Sequence, residues 1–105
     1  MDLTPTEKLA WFYITDQCDN VGVWTPNYRL AEFVIGSQLD WDKFAGKCND
    51  NIMILETGKW WIVDFCPFQH PDLVKNPDGG NSNALNSYVR DLQKHGLYSE
   101  FLNNI

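Results

Sequence analysis

Two helices and a β-hairpin are signalled in succession within residues 25–65, which read TPNYRLAEFVIGSQLDWDKFAGKCNDNIMILETGKWWIVDF. Thr25 followed by Pro26 predicts a helix start. Gly36 predicts its end, because glycine readily adopts the left-handed conformation that stops helices. After a short link, Asp40 predicts the cap of a second helix. That helix has an inward apolar stripe at i, i+3, i+4 and i+7: Trp41, Phe44, Ala45 and Cys48.

The faces of the two helices follow from the same spacing. The apolar residues of the first helix recur at helical intervals and are expected to face the protein interior: Leu30, Ala31, Phe33 and Val34. When the stripe of the second helix packs inward, its opposite face presents four polar side chains: Asp42, Lys43, Lys47 and Asn49.

A β-hairpin is predicted directly after these helices. Residues 52–56 and 59–65 are rich in strand-forming residues, and Thr57-Gly58 between them is typical of a two-residue turn. Such a turn places Glu56 opposite Lys59, which is a favourable cross-strand pair. Lys59 then lies at the tip of the hairpin.

The faces of the second strand are assigned from Asp64, its polar residue. Because side chains alternate along a strand, Trp60 and Ile62 share the wetter face with Asp64, and the inner face carries Trp61, Val63 and Phe65. Trp60 is then either covered by the C-terminal helix or exposed as an interface residue. Coverage is the preferred interpretation, since isolated exposed rings of this size are uncommon without a partner.

Further elements precede this region. Thr4, Pro5 and Glu7 form a capping-box pattern that predicts a first helix. Its apolar stripe is Leu9, Ala10, Phe12 and Tyr13. A short extended segment is expected at Val23-Trp24.

The C-terminal part is expected to be a loop and a helix. Residues 76–83, NPDGGNSN, predict a flexible turn region. A last helix is expected from about residue 83 to 95, with Leu85, Tyr88, Val89 and Leu92 as its stripe. Gly96 is the expected stop, and a final helical turn follows near Tyr98.

The order of these elements predicts a fold. The predicted fold is an α+β winged helix-turn-helix: a three-helix core plus a β-hairpin wing, with an added C-terminal helix. Its elements follow the order helix, short strand, helix, helix, strand, turn, strand and helix. A single domain is expected over residues 1–105, with its core over 3–70, a loop over 71–82 and the C-terminal helix over 83–105.

The sequence also resembles a known family. The matching segments are LTP and KL at residues 3–5 and 8–9, NVGVW at 20–24, Phe44 and Lys47, GKWWIVDF at 58–65 with Phe68-Gln69, and LQKHGL at 92–97. They are similar to the N-terminal winged helix of phage and prophage replication proteins of the replisome-organiser, DnaD-like kind. The resemblance implies a DNA-binding module in phage genome replication or its regulation, with replication proteins as partners.

DNA binding is the first function that this fold favours, because the second helix of a helix-turn-helix enters the major groove of double-stranded DNA. Phosphate contacts are expected from Lys43, Lys47, Lys59 and Arg29. Base reading would fall to Gln38 and Asn49, whose amides can form paired hydrogen bonds with a base.

The charge balance favours a different function. The chain has 14 acidic and 8 basic residues, a net charge of −6, so it has no whole-molecule attraction to DNA. The alternative is a winged helix that binds proteins or oligomerises without contacting DNA. Trp60 and Tyr88 are the interface candidates for that role. A homodimer is possible under either function, and it would double any DNA contacts.

The three cysteines, Cys18, Cys48 and Cys66, are expected to be free structural thiols in a reducing compartment. Cys66 and His70 lie four residues apart, but zinc sites normally include a close cysteine pair, which this sequence lacks. No nucleophile elbow, phosphate loop or paired carboxylates point to catalysis. Neither an enzyme, a cofactor nor a metal site is therefore predicted.

The sequence indicates a protein outside the membrane. Its first residues lack the basic and apolar segments of a signal peptide. Its apolar runs reach only about five or six residues, against the ~20 needed to span a bilayer. A cytoplasmic location is expected, and the phage resemblance implies a bacterial host cell.

Overall fold

Thr4 begins the first helix through a reciprocal capping box, as predicted. Its hydroxyl accepts the Glu7 N–H at 3.2 Å, and the Glu7 carboxylate accepts the Thr4 N–H at 2.8 Å. This helix, α1, spans Pro5–Gln17 in a computed structural model that describes residues 2–105. Over those residues the fold is α+β, with seven helices and a three-stranded antiparallel sheet.

The described residues group into two units. The N-terminal unit comprises residues up to 19 and 23–62, and the C-terminal unit comprises 20–22 and 63–105. After α1, the N-terminal unit contains β1 (Val23–Trp24), α2 (Tyr28–Ile35), α3 (Trp41–Lys47), β2 (Ile52–Ile54) and β3 (Trp60–Ile62). The C-terminal unit contains α4 (Phe65–Gln69), α5 (Pro71–Lys75), α6 (Asn83–Lys94) and α7 (Tyr98–Asn103).

Helix α2 begins later than the sequence predicts. Asn27 is its cap, since the Asn27 side chain accepts the Leu30 N–H at 3.1 Å. The predicted start at Thr25 is therefore wrong: the asparagine offers a side-chain acceptor two positions further on. Gly36 ends the helix with a φ of 84°, which confirms the predicted glycine stop.

The larger apolar residues of α2 face outward, which corrects the prediction that all four are internal. Ala31 is fully buried, whereas Leu30, Phe33 and Val34 are 48, 84 and 58 % exposed. Helix α2 packs on α1, and of the four residues predicted to face inward only the smallest, Ala31, is buried. The same holds for α1, which buries Ala10 and leaves Leu9 and Phe12 of its predicted stripe exposed.

The hairpin forms, but its register differs from the predicted one by one residue. Ile54 pairs with Trp60, so Leu55 lies opposite Lys59 and the predicted pair of Glu56 with Lys59 is wrong. A shift of one residue exchanges the two faces of a strand.

Gly58 explains the shift. The Gly58 N–H donates to the Leu55 carbonyl at 2.9 Å, and the Leu55 N–H donates to the Lys59 carbonyl at 2.8 Å. Gly58 has a φ of 86°, the left-handed position that closes a three-residue hairpin loop. The turn therefore comprises Glu56, Thr57 and Gly58 rather than two residues.

Strand β3 is central, because β1 pairs with one of its edges and β2 with the other. Trp60, Trp61 and Ile62 are only 2, 0 and 5 % exposed. A strand buried on both faces has no wetter side, so the prediction that Trp60 and Ile62 lie on a wetter face is wrong. The strand also ends at Ile62 instead of continuing to Phe65.

Aromatic rings connect the sheet to the helices of the N-terminal unit. The cluster consists of Tyr13, Trp24, Tyr28, Trp41, Phe44 and Trp60. The Trp24 ring centroid lies 5.3 Å from that of Trp60 and 5.8 Å from that of Trp41, which is within the range of favourable aromatic pairs. The cluster joins β1 and β3 to α2 and α3, so it sets the position of α3.

The C-terminal unit is more helical than predicted. Residues 65–69 form α4 where a strand end was predicted, and α5 lies within the predicted loop over 71–82. The last predicted helix is confirmed as α6, with Ser82 as its cap. Gly96 follows it with a φ of 71°, and the Leu97 N–H donates to the Leu92 carbonyl at 2.8 Å, as in a glycine-terminated helix.

Candidate nucleic-acid interface

The inner side of α3 is fixed as the sequence predicts. Asp40 caps the helix, its carboxylate accepting the Lys43 N–H at 3.1 Å. Phe44 and Cys48 are fully buried, and Trp41 packs on Phe44 with ring centroids 6.0 Å apart. The opposite side of α3 is exposed. We call its three residues the α3 outer face: Asp42, Lys43 and Gly46.

Glu32 of α2 fixes the link between α2 and α3. Its Oε2 atom accepts the Leu39 N–H at 2.8 Å and the Trp41 Nε1–H at 3.3 Å. A charged acceptor makes stronger hydrogen bonds than a neutral one, so this contact holds the turn in one geometry. Sequence reasoning missed Glu32. The available signal was a carboxylate among the apolar residues of the segment LAEFVI, residues 30–35.

Lys47, which the sequence assigns to a phosphate contact, forms an ion pair inside the N-terminal unit. Its Nζ lies 2.7 Å from the Glu7 carboxylate, and the two side chains are 28 and 5 % exposed. The hydrogen bond from Lys47 and that from the Thr4 N–H lower the pKa of Glu7, against the opposing effect of burial. Lys47 therefore compensates the charge of a buried carboxylate, which is a structural role inside the N-terminal unit.

The other predicted DNA residues lie at or near the surface of the N-terminal unit. Lys59 is half-buried at the hairpin, and three are exposed: Arg29 on α2, Gln38 in the link and Asn49 after α3. Over the residues that the structure describes, Arg29, Lys43 and Lys59 form no ion pair within 4.0 Å. Three exposed carboxylates share the α3 region: Asp40, Asp42 and Asp50.

Gly46 is a further residue of this face that sequence reasoning did not single out. It lies inside α3 without a left-handed φ, where glycine is less favourable than alanine. A Cβ built at this position meets nothing within 4 Å. No packing in the described chain therefore requires a glycine, and its absent side chain lets another molecule approach the helix backbone closely.

Gly46→Ala is expected to stabilise the N-terminal unit by about 0.5–1 kcal/mol, because alanine has less conformational freedom to lose and meets no neighbour here. Urea denaturation followed by circular dichroism measures this. Gly36→Ala is the matched control and should destabilise, since the φ of 84° at Gly36 strains any other residue. A loss of stability in Gly46→Ala would show that the α3 outer face is already packed.

Trp60 does not form part of the surface, which corrects its assignment as an interface residue. It is 2 % exposed, and its Nε1–H donates to the Tyr28 hydroxyl at 3.2 Å. Its ring lies over that of Phe44, with centroids 6.0 Å apart. Trp60 is a core residue that packs against the buried side of α3 through Phe44.

Tyr88, the second interface candidate, lies in the C-terminal unit on the wall of an open cleft of about 380 Å³. Its ring stacks on His70 with centroids 3.8 Å apart. His70 Nε2 lies 2.8 Å from the Asn20 carbonyl oxygen, so this imidazole has a structural partner. The other polar lining residues include Gln69, Asp72, Asn76 and Ser82.

The cysteines are free thiols, as predicted. Cys48 and Cys66 are fully buried, and the Cys66 thiol donates to the Val21 carbonyl at 3.6 Å. Burial and the neighbouring charge of Asp19 raise the pKa of Cys18 to about 11, and burial also raises that of Cys48. Both thiols are therefore protonated at neutral pH and are weak nucleophiles.

Neither a metal-binding cluster nor a membrane-spanning helix is found among residues 2–105. No three His, Cys, Asp or Glu side chains come together in a way that could hold a metal ion. None of the helices combines the length and the apolar composition needed to cross a bilayer.

No protein-family model, no curated protein and no solved structure matches this chain.

Proposed function

We propose that the N-terminal unit is a DNA-binding module of the winged-helix type. Its elements follow the order α1-β1-α2-α3-β2-β3, with β3 between β1 and β2. This order is typical of a helix-turn-helix followed by a hairpin wing. The observation that carries the proposal is the α3 outer face, where Lys43 is exposed beside a glycine that nothing in the described chain covers.

In this proposal α3 enters the major groove with its outer face toward the bases. Gly46 allows the helix backbone to approach the DNA closely. Lys43 contacts a phosphate, and Lys59 at the hairpin contacts the backbone beside it. Gln38 and Asn49 flank the helix and supply amide groups that can pair with the edge of an adenine.

The charge distribution makes binding modest and strongly dependent on salt. Arg29, Lys43 and Lys59 supply about three phosphate contacts, which corresponds to a slope of about −3 for log K against log salt concentration. Three exposed carboxylates near α3 repel DNA phosphates: Asp40, Asp42 and Asp50. They therefore disfavour every docking position of the protein on the duplex except one that keeps them away from the DNA backbone.

The biological setting proposed is phage or prophage replication, or its regulation. It rests on the sequence resemblance of residues 3–105 to the winged helices of replisome-organiser, DnaD-like proteins. Replication proteins are the corresponding partners.

Fluorescence anisotropy of a labelled duplex tests the proposal. Binding is expected at about 10–100 µM protein in low salt, and it should weaken steeply as salt rises. Lys43→Ala with Lys59→Ala should lower affinity and reduce the salt slope by about two. The matched control is Lys75→Ala with Lys94→Ala, which removes the same charge from the C-terminal unit and should leave the slope unchanged.

No binding at low salt would refute DNA binding. If both double variants lost the same amount of DNA affinity, the assignment of the α3 outer face would be refuted, because the attraction would then come from overall charge alone. Lys47 is left unchanged in the DNA-binding variants, since its removal is expected to destabilise the fold by breaking the ion pair with Glu7.

Oligomerisation without DNA contact is a second candidate, favoured by the outward apolar side chains of α1 and α2. Phe33 is 84 % exposed and Phe12 65 % exposed. Large exposed rings of this kind are common at surfaces that bind another protein. Self-association in the absence of any DNA binding would support this candidate over the first.

A further inference from the structure

Four of the exposed residues of α1 lie along one side of the helix and form what we call the α1 strip: Lys8, Leu9, Phe12 and Asp16. Leu9 and Phe12 are 52 and 65 % exposed and lie about one helical turn apart. The apolar side chains on the other side of α1, Ala10 and Ile14, are fully buried. The α1 strip is therefore the part of this helix that its own unit leaves without a partner.

The charges of the α1 strip have a definite order. Residues four apart share one face of a helix, so Lys8, Phe12 and Asp16 follow one another along the axis as positive, aromatic and negative. Lys8 and Asp16 are thus at equal distances on either side of Phe12. Asp16 accepts a hydrogen bond from its neighbour Gln17 at 3.1 Å and is exposed to an incoming cation.

The charge order of one α1 strip complements that of a second α1 strip running in the opposite direction. A second α1 helix lying antiparallel, with Phe12 at the crossing point, places Lys8 of each copy opposite Asp16 of the other. A parallel helix would oppose like charges at both ends. Two-fold symmetric interfaces require a patch that complements its own rotated copy, and the α1 strip has this property.

We infer that the chain forms a two-fold symmetric homodimer through antiparallel pairing of two α1 strips. The α1 strip is itself neutral, so the net charge of −6 is not concentrated where the two copies meet. Physiological salt screens the repulsion between the charges elsewhere on the two copies. One helix face is smaller than the ~800 Å² per partner of a standard interface. The dimer is therefore weak and depends on concentration.

The inference does not rest on DNA binding, and its test contains no DNA. It adds to the proposed function, because a dimer carries two α3 outer faces and twice the number of phosphate-binding cations. A failure of the dimer would leave single-copy DNA binding intact, and a failure of DNA binding would leave the dimer intact.

Sedimentation equilibrium over about 10 µM to 1 mM protein tests for the dimer. The unmodified chain should show a mass that rises from monomer toward dimer. Phe12→Ala should raise the dimer Kd at least about tenfold, and circular dichroism should show an unchanged fold because Phe12 is exposed. Phe68→Ala is the matched control, since Phe68 is 82 % exposed on α4, and it should not alter the Kd.

Charge exchange tests the antiparallel arrangement. Lys8→Asp and Asp16→Lys each turn two attractive pairs into repulsive ones and should each raise the Kd about tenfold. The double variant restores both pairs and should return to the original Kd. An equimolar mixture of the two single variants should associate more tightly than either variant alone.

A monomer at every concentration would overturn the inference. A dimer that survives both the Phe12 and the charge variants would also overturn it, because its interface would lie elsewhere. A dimer weakened by Phe12→Ala but indifferent to the charge exchange would overturn the antiparallel pairing.

Discussion

Trp60→Ala is expected to destabilise the N-terminal unit by about 3–5 kcal/mol, the usual cost of removing a large buried ring. Trp60 is 2 % exposed, and its centroid lies 5.3 Å from that of Trp24 and 6.0 Å from that of Phe44. The substitution also removes the hydrogen bond to the Tyr28 hydroxyl. Because these rings hold α3 in place, the variant should also lose the proposed contact of α3 with DNA.

Urea denaturation followed by far-ultraviolet circular dichroism measures this loss. Phe68→Ala, which removes an exposed ring, is the control and should stay within about 0.5 kcal/mol of the unmodified protein. Trp60→Phe keeps an aromatic ring but loses the indole N–H, so its cost should be intermediate. A loss below about 1 kcal/mol in Trp60→Ala would contradict the buried aromatic cluster.

Lys47→Ala is the second large expected effect, at about 2–3 kcal/mol near pH 7. It leaves the Glu7 carboxylate, whose side chain is 5 % exposed, without the ammonium that lies 2.7 Å away. This cost is below the ~3–5 kcal/mol typical of a broken buried pair, because the Lys47 side chain is 28 % exposed. Lys43→Ala is the control on the same helix and should change stability little, since Lys43 is exposed.

A second substitution separates the ion pair from simple packing. Glu7→Gln in the Lys47→Ala background removes the stranded charge and should recover part of the lost stability. Equal losses of unfolding free energy in Lys47→Ala and Lys43→Ala would contradict the internal role of Lys47. Lys47 would then be an ordinary surface cation.

The pH dependence has a definite sign. Lys47, followed by the Thr4 N–H, lowers the pKa of Glu7 below its ordinary value of 4.5. A carboxyl group with a lowered folded-state pKa stabilises the fold above its unfolded pKa, and that stability is lost as pH falls through the folded pKa. The difference between the unmodified protein and Lys47→Ala should therefore be full at pH 7 and shrink below about pH 4. Urea midpoints across this range measure it.

Local signals in the sequence located most elements of the fold. The capping box at Thr4, the Asp40 cap and the Gly36 stop are confirmed, because each depends on backbone chemistry within one helical turn. The hairpin register was wrong by one residue. Thr57-Gly58 suits a two-residue turn, but Gly58 also suits the left-handed position of a three-residue turn, and nearby residues do not decide between them.

Long-range contacts account for the errors at the candidate site. The ion pair of Lys47 with Glu7 joins residues 40 positions apart, and no spacing rule connects two residues so distant in sequence. The burial of Trp60 depends on β1 pairing with β3, which only the three-dimensional arrangement reveals. The outward apolar faces of α1 and α2 were missed because periodicity finds an apolar stripe without saying which of two stripes packs.

Nuclear magnetic resonance of the ¹⁵N-labelled chain, titrated with a short duplex, locates the proposed DNA contact residue by residue. If the α3 outer face contacts DNA as proposed, chemical-shift changes should be concentrated at the amides of Lys43, Gly46 and Lys59, with α1 and the C-terminal unit little affected. Changes confined to other surfaces, or an unchanged spectrum with a large excess of duplex in low salt, would refute that contact.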